Sequence, residues 1–256
     1  MHNTAAIHKL SQRHIVTLLG VAAVALIGVA QLLRGPAPFD RPINAERPVI
    51  FPDGAKLYVQ KYEVTVAEWN RCHAEGACAL SLHVAGSHTE AEMPATGLSY
   101  TDVSEYLKWI NRTSRHSFRL PTLQEWEFMA AEVLPETPDP FFTDPELSWA
   151  SAYLLEPQTK RTLLPKGAFA TTKEGIADLN GSVWEWTADC YAGVSETEIN
   201  TNRCPAFFVG GEHIAAIPFL VRDPARGGCA VGAPPAHLGM RLVSERPWTT
   251  SGFDAR

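Results

Sequence analysis

Gly175-Ile-Ala-Asp-Leu-Asn-Gly-Ser-Val-Trp-Glu-Trp186, running on into Thr187-Ala-Asp-Cys190, is the stretch whose reading decides the fold. Two tryptophans bracket a glutamate just after a Gly-Ser pair. Each indole buries a large apolar area and asks for an acceptor for its ring N–H. If the segment is buried, Glu185 must be hydrogen-bonded, ion-paired or bound to a cation. Two readings stay open: an aromatic core corner with a hydrogen-bonding carboxylate, or a carboxylate that holds a cation.

Working outward, Arg119-Leu-Pro-Thr-Leu-Gln-Glu-Trp-Glu-Phe-Met-Ala130 lies upstream and Leu238-Gly-Met-Arg-Leu-Val243 lies near the end. Tyr62-Glu-Val-Thr-Val-Ala-Glu-Trp69 and Pro94-Ala-Thr-Gly-Leu-Ser-Tyr-Thr-Asp-Val103 complete the set. In this order the segments resemble the formylglycine-generating enzyme family, also called sulfatase-modifying-factor proteins, with Tyr100 where a Trp is usual. The resemblance covers residues 48–246. It implies an α+β domain of the formylglycine-generating-enzyme type, related to C-type lectins and poor in regular secondary structure.

The rest of the chain reads independently of that likeness. Nineteen uncharged residues, Ile15 to Leu33, follow Lys9 and Arg13, and about 20 apolar residues span a bilayer as a helix. The pattern predicts a cytoplasmic segment over 1–14 and a transmembrane anchor or cleaved signal over 15–33. A Pro-rich tether then spans 34–47, and a tail follows the domain over 247–256. The rest would be exported, placing it on the periplasmic face of the inner membrane in a bacterium. The exported part carries 20 basic against 28 acidic residues, a balance that excludes a nucleic-acid surface. An oxidising compartment suits disulfides. Cys72 with Cys78, and Cys190 with Cys204, are the expected pairs, leaving Cys229 as a free thiol.

Local patterns predict a strand over 56–66 and three helices. Thr65 and Glu68 frame the first, over 66–72, as a capping box. Val103, Tyr106, Leu107 and Ile110 fall on one face of the second, over 99–111. Thr122 and Glu125 cap the third, over 121–131. Beyond Leu134, repeated prolines predict ordered loop.

The chemistry implied by the resemblance depends on a cysteine pair that binds copper. Soft thiolates suit Cu(I). Here Gly210 and Gly211 match the family's glycine pair, Glu212 stands at a serine, and Ala215 falls at the first cysteine. Pro218 to Leu220 cover the second, and Arg226 keeps the register. No cysteine occurs between Pro205 and Gly228. The expected cleft of Trp186, Glu212, His213, Ala215, Leu220 and Arg226 is therefore degenerate, without catalytic residues and without copper. The resemblance also implies one calcium ion, held by the carbonyls of Asn180, Gly181 and Val183 and the carboxylate of Glu185. Ser151 replaces a ligand of a second calcium site. His73, His83, His88, His116 and His237 are scattered, and His83 and His88 lack the spacing that stacks ligands on a helix. The sequons at Asn111 and Asn180 read as chance matches.

These observations favour a non-catalytic accessory or maturation factor for a periplasmic protein or peptide, similar to family members that accompany nitrite reductase. A divergent metal-dependent oxidoreductase and a lectin-like ligand-binding module are the alternatives.

Overall fold

The computed structural model describes residues 41–134, 162–191, 204–224 and 236–249. The apolar run 15–33 and residues Ser151, Arg226 and Cys229 lie outside these. No helix among the described residues is long and apolar enough to cross a membrane.

Three helices form where capping chemistry starts them. α1 (Val66–Ala74), α2 (Tyr100–Ser114) and α3 (Leu123–Ala130) begin after Thr65, Ser99 and Thr122. Each cap hydroxyl accepts the N–H three residues on, and the acid there (Glu68, Asp102 or Glu125) bonds back to the cap backbone. Reciprocal bonds of this kind satisfy donors that a helix start leaves unpaired. α2 runs three residues past its expected end because Ser114 bonds back to the Ile110 carbonyl and Arg115 then adopts a left-handed turn. Trp69, Tyr106 and Trp109 face one another across α1 and α2, with the first two rings stacked at 5.5 Å.

Two sheets carry the rest. The small one orders β1 (Val49–Ile50), β2 (Lys56–Val59) and β7 (Val243–Ser244), so the start of the domain pairs with its end. The larger one runs β5 (Ala215–Pro218), β4 (Ala206–Gly210), β3 (Val183–Tyr191), β6 (His237–Gly239). β3 is antiparallel to β4 and parallel to β6. α3 packs on β3 and β4, bringing Trp126, Met129 and Ala130 into a core with Val59, Ile176, Leu179 and Val243. The result is a mixed helix-and-sheet fold with few helices.

Three boundaries differ from expectation. The strand over 56–66 stops at Val59, because Val59 and Gln60 are both buried and the alternation breaks there. Val64 instead bonds Met240 and Ala95. Residues 41–47 are not free tether. Asn44 bridges Gln60, Ala45 donates to the Val59 carbonyl, and Lys61 donates to the Ile43 carbonyl. Proline marks a break in regular structure, but its carbonyl still accepts: Trp248 Nε1 bonds the Pro42 oxygen at 2.7 Å. The same bond removes residues 247–249 from the tail, since Trp248 is buried against Phe118.

Candidate functional site

Glu185 lies on the central strand β3 with no exposed surface. Its carboxylate accepts from Arg241 Nη2 at 2.7 Å, from Arg241 Nε at 3.0 Å, and from Trp126 Nε1 at 3.0 Å. Arg241 is equally buried and uses every N–H it has. Beyond Glu185 it donates to the carbonyls of Gln60, Lys61 and Ala177. Burial alone would pull the guanidinium pKa down, but the Glu185 and Glu63 carboxylates outweigh it and hold it above the ordinary arginine value. The Trp-Glu-Trp segment is thus a core corner around a complete ion pair. Trp186 closes the other side by donating to the Leu98 carbonyl at 2.8 Å.

The carboxylate expected to hold calcium is therefore committed elsewhere. A dication at Glu185 would face a guanidinium already seated on both oxygens, and like charges at that range repel strongly. Glu63, by contrast, keeps an oxygen without a hydrogen bond. It is buried, and Arg241 Nη2 is 3.9 Å from that oxygen, Oε2. Burial pushes its pKa up to about 8; Arg241 opposes the rise, while Glu185 and Asp178 add to it. Glu63 shares a narrow gap with Asp178, Ser182 and Val183. Asp178 has φ of 70° and turns its carboxylate onto the Gly167 and Phe169 N–H groups. An orphaned carboxylate oxygen beside a second acid offers hard-oxygen donors of the kind calcium takes. Of the expected carbonyl donors, Val183 lines this gap. Asn180 uses its side chain to accept from Ala170 N–H, and Gly181 N–H donates to the Asp178 carbonyl.

The expected cleft lies along β5 and the turn before it. Gly210 and Gly211 are there because two indoles leave no room for a side chain. A Cβ would sit 2.2 Å from the Trp126 ring at Gly210 and 2.4 Å from the Trp184 ring at Gly211. Glu212 and His213 follow, with His213 edge-on to Trp184 at 4.4 Å. Ala215 is buried on β5, whereas Leu220, just beyond the strand, is 66% exposed. Tyr100 forms an aromatic wall, stacked on Phe207 and edge-on to Trp186. Burial, then the Asp189 carboxylate, pushes its hydroxyl up to about 12, so Tyr100 stays a protonated phenol at neutral pH. Arg222, after β5, clamps Asp102 at the start of α2 with two bonds of 2.7 Å. What is assembled here is an aromatic wall beside the buried methyl group of Ala215 and the exposed Leu220 side chain, with the Arg222–Asp102 pair next to it.

Both expected disulfides form, Cys72–Cys78 and Cys190–Cys204. The first staples the end of α1, where His73 Nδ1 contacts the Cys78 carbonyl. Asn111 bonds the Phe118 backbone on both sides, so the sequon asparagines both have structural work. No group of three or more His, Cys, Asp or Glu side chains suited to a metal occurs among the described residues. Arg241 and Glu63 lie inside the motif segments, and neither had an expected role in the site. The signal was available: opposite charges inside otherwise apolar segments must find each other if buried.

The sulfatase-modifying factor enzyme 1-like domain model matches residues 28–246. The chain is 32% identical over 114 residues to inactive C-alpha-formylglycine-generating enzyme 2 of Mus musculus, covering 41% of this chain and 35% of that protein. It is 24% identical over 188 residues to formylglycine-generating enzyme of Mycobacterium tuberculosis, covering 59% of this chain and 57% of that one. The chain thus spans little more than half, or less, of the curated relatives it matches. Among solved structures, Treponema denticola variable protein 1 aligns over 82% of this chain and 95% of its own, at 14% identity and TM-score 0.48. With its motifs in order and a match over most of its length, this chain belongs to the sulfatase-modifying factor enzyme 1-like family.

Proposed function

We propose that this protein is a non-catalytic family member, an exported and membrane-anchored accessory factor that engages a periplasmic enzyme such as a nitrite reductase during maturation. The observation that carries the reading is the pair of Ala215 and Leu220 where copper-binding cysteines would stand. Neither side chain can ligate a metal. The relative with an inactive formylglycine-generating enzyme's name supports the same direction. The apolar run before the domain and the two disulfides support export. The aromatic wall of Tyr100, Phe207 and Trp186, with exposed Phe219 and Leu220 beside β5, suits a peptide segment that docks without being oxidised.

The test is chemical. A cysteine-containing sulfatase-type peptide incubated with the protein, Cu(I) and oxygen should remain unconverted by mass spectrometry. Formylglycine formation by the wild type would overturn the proposal. A calcium ion belongs to the same reading, held by Glu63 and Asp178 with loop carbonyls, where it would neutralise buried acid and fix the 178–183 turn. Added Ca²⁺ should then raise the melting temperature and a chelator lower it, because the ion binds the native state preferentially. Glu63→Gln should remove that response; a response retained in Glu63→Gln would place the ion elsewhere.

A further inference from the structure

The segment from Leu80 to Met93 leaves the Cys72–Cys78 staple, turns back, and returns to α1. Asn70 pins one stem, donating to the Leu82 carbonyl at 2.9 Å and accepting from Leu82 N–H at 3.0 Å. It also donates to the Glu90 carboxylate at 3.0 Å. The other stem is held by the backbone: Ala67 donates to the Glu90 carbonyl, and Val66 to that of Met93. Thr89 and Glu92 close a further local cap between them. The loop is therefore tied to a rigid helix on both sides.

Between the stems the chain reverses at Gly86, whose φ of +82° is a conformation that favours glycine. The reversal does what helical spacing would not. It brings His83 and His88 to one cavity of about 270 Å³, which Met93 also lines. The remaining walls are aliphatic, among them Val66, Leu82 and Leu163. Both imidazoles are exposed, and neither ring makes a hydrogen bond among the described residues. Their ring nitrogens are available as ligands. Met93 is 7% exposed, with its thioether in the same apolar surroundings.

Two imidazoles and a thioether in a mostly apolar hollow make a soft donor set. Thioether ligation selects Cu(I) over hard cations, and neutral imidazole accepts the same metal. We propose that His83, His88 and Met93 form a Cu(I)-binding site on the loop that follows α1. It is separate from the degenerate cleft and does not depend on the accessory-factor reading. Oxygen ligands are not required at a site of this kind.

The test uses the full chain, both wild type and Cys229→Ser, so that the cysteine cannot supply the signal. Cu(I), generated with ascorbate and presented against a chromophoric Cu(I) chelator, should form a one-to-one complex with both. His83→Ala and His88→Ala should each weaken it at least about ten-fold, a single decade of affinity. Met93→Leu keeps the volume of the buried side chain and should weaken Cu(I) binding while leaving the melting temperature nearly unchanged. In NMR spectra the imidazole signals of His83 and His88 should shift on loading. Absence of a one-to-one complex would overturn the site. So would full affinity in a His83→Ala/His88→Ala double variant, or Cu(I) affinity unchanged by Met93→Leu.

Discussion

The middle of the large sheet and its β5 edge have diverged in opposite senses. In the middle, Glu185, Arg241 and Trp126 form a closed set in which the guanidinium donors are all used. Gly210 and Gly211 lie flat against the indoles beside it. At the edge, Ala215 is buried on β5 while Leu220, just beyond the strand, is exposed. The middle is locked by buried charge, and the edge is lined by small and exposed apolar side chains. A buried charge cannot lose its partner without a large penalty, whereas an exposed side chain at the edge changes at little structural cost.

That contrast predicts a graded response to mutation. Arg241→Ala should be the most damaging change, leaving Glu185 as a buried unpaired charge at a cost of about 3–5 kcal/mol. Chemical denaturation should show the loss, and near-wild-type stability would mean that the centre is not what holds the fold. Opening Cys190–Cys204, which ties the far end of β3 to the start of β4, should cost about 3 kcal/mol for a loop of this size. Non-reducing mass mapping of the Cys190→Ser variant, followed by its unfolding curve, checks both the bond and the cost. Gly210→Ala should cost about 1–3 kcal/mol, because its methyl group forces the Trp126 ring to move. A tolerated alanine there would mean that the indole is not fixed.

The edge should respond least. Arg222 is 52% exposed, and ion pairs at such sites contribute about 0–1 kcal/mol. Burial alone would raise the Asp102 pKa, but the bonds from Arg222 and Ser99 outweigh it and hold the carboxyl below its usual range. A depressed folded-state pKa means that this contribution is present above the unfolded value. It is lost as pH falls through the folded value. Arg222→Ala should therefore lower stability slightly at neutral pH and become indistinguishable from wild type in acid. A difference that persists at pH 2 would show that Arg222 acts by packing rather than by charge.

Local chemistry was readable where it is written in adjacent residues. Thr65 with Glu68, and Thr122 with Glu125, announced two helix starts within four positions. The Ser99–Asp102 box has the same logic, but a search for Glu or Gln at the third position passes over an aspartate. Cysteines six and fourteen apart paired as their loops suggested. The centre of the site was harder, because Glu185 and Arg241 are 56 residues apart and nothing local couples them. Glu63 was hidden by a strand pattern that the fold interrupts. Helical spacing keeps His83 and His88 apart, whereas the reversal at Gly86 between them brings both to one cavity. Spacing rules carry information only after the backbone conformation is known.

Arg241 also has a consequence for the order in which this domain forms. Its partners lie 180 residues back at Lys61, 64 back at Ala177 and 56 back at Glu185. The β2–β7 ladder and the Trp248–Pro42 bond join the same distant ends. Contacts this remote in sequence make folding slow. During synthesis or export, every earlier segment arrives before the guanidinium that neutralises Glu185. Until residues 238–248 are available Glu185 and Glu63 lack the Arg241 counter-charge, and the small sheet lacks β7, its third strand. The domain stays unclosed until residues 238–248 arrive to pair with segments made long before them.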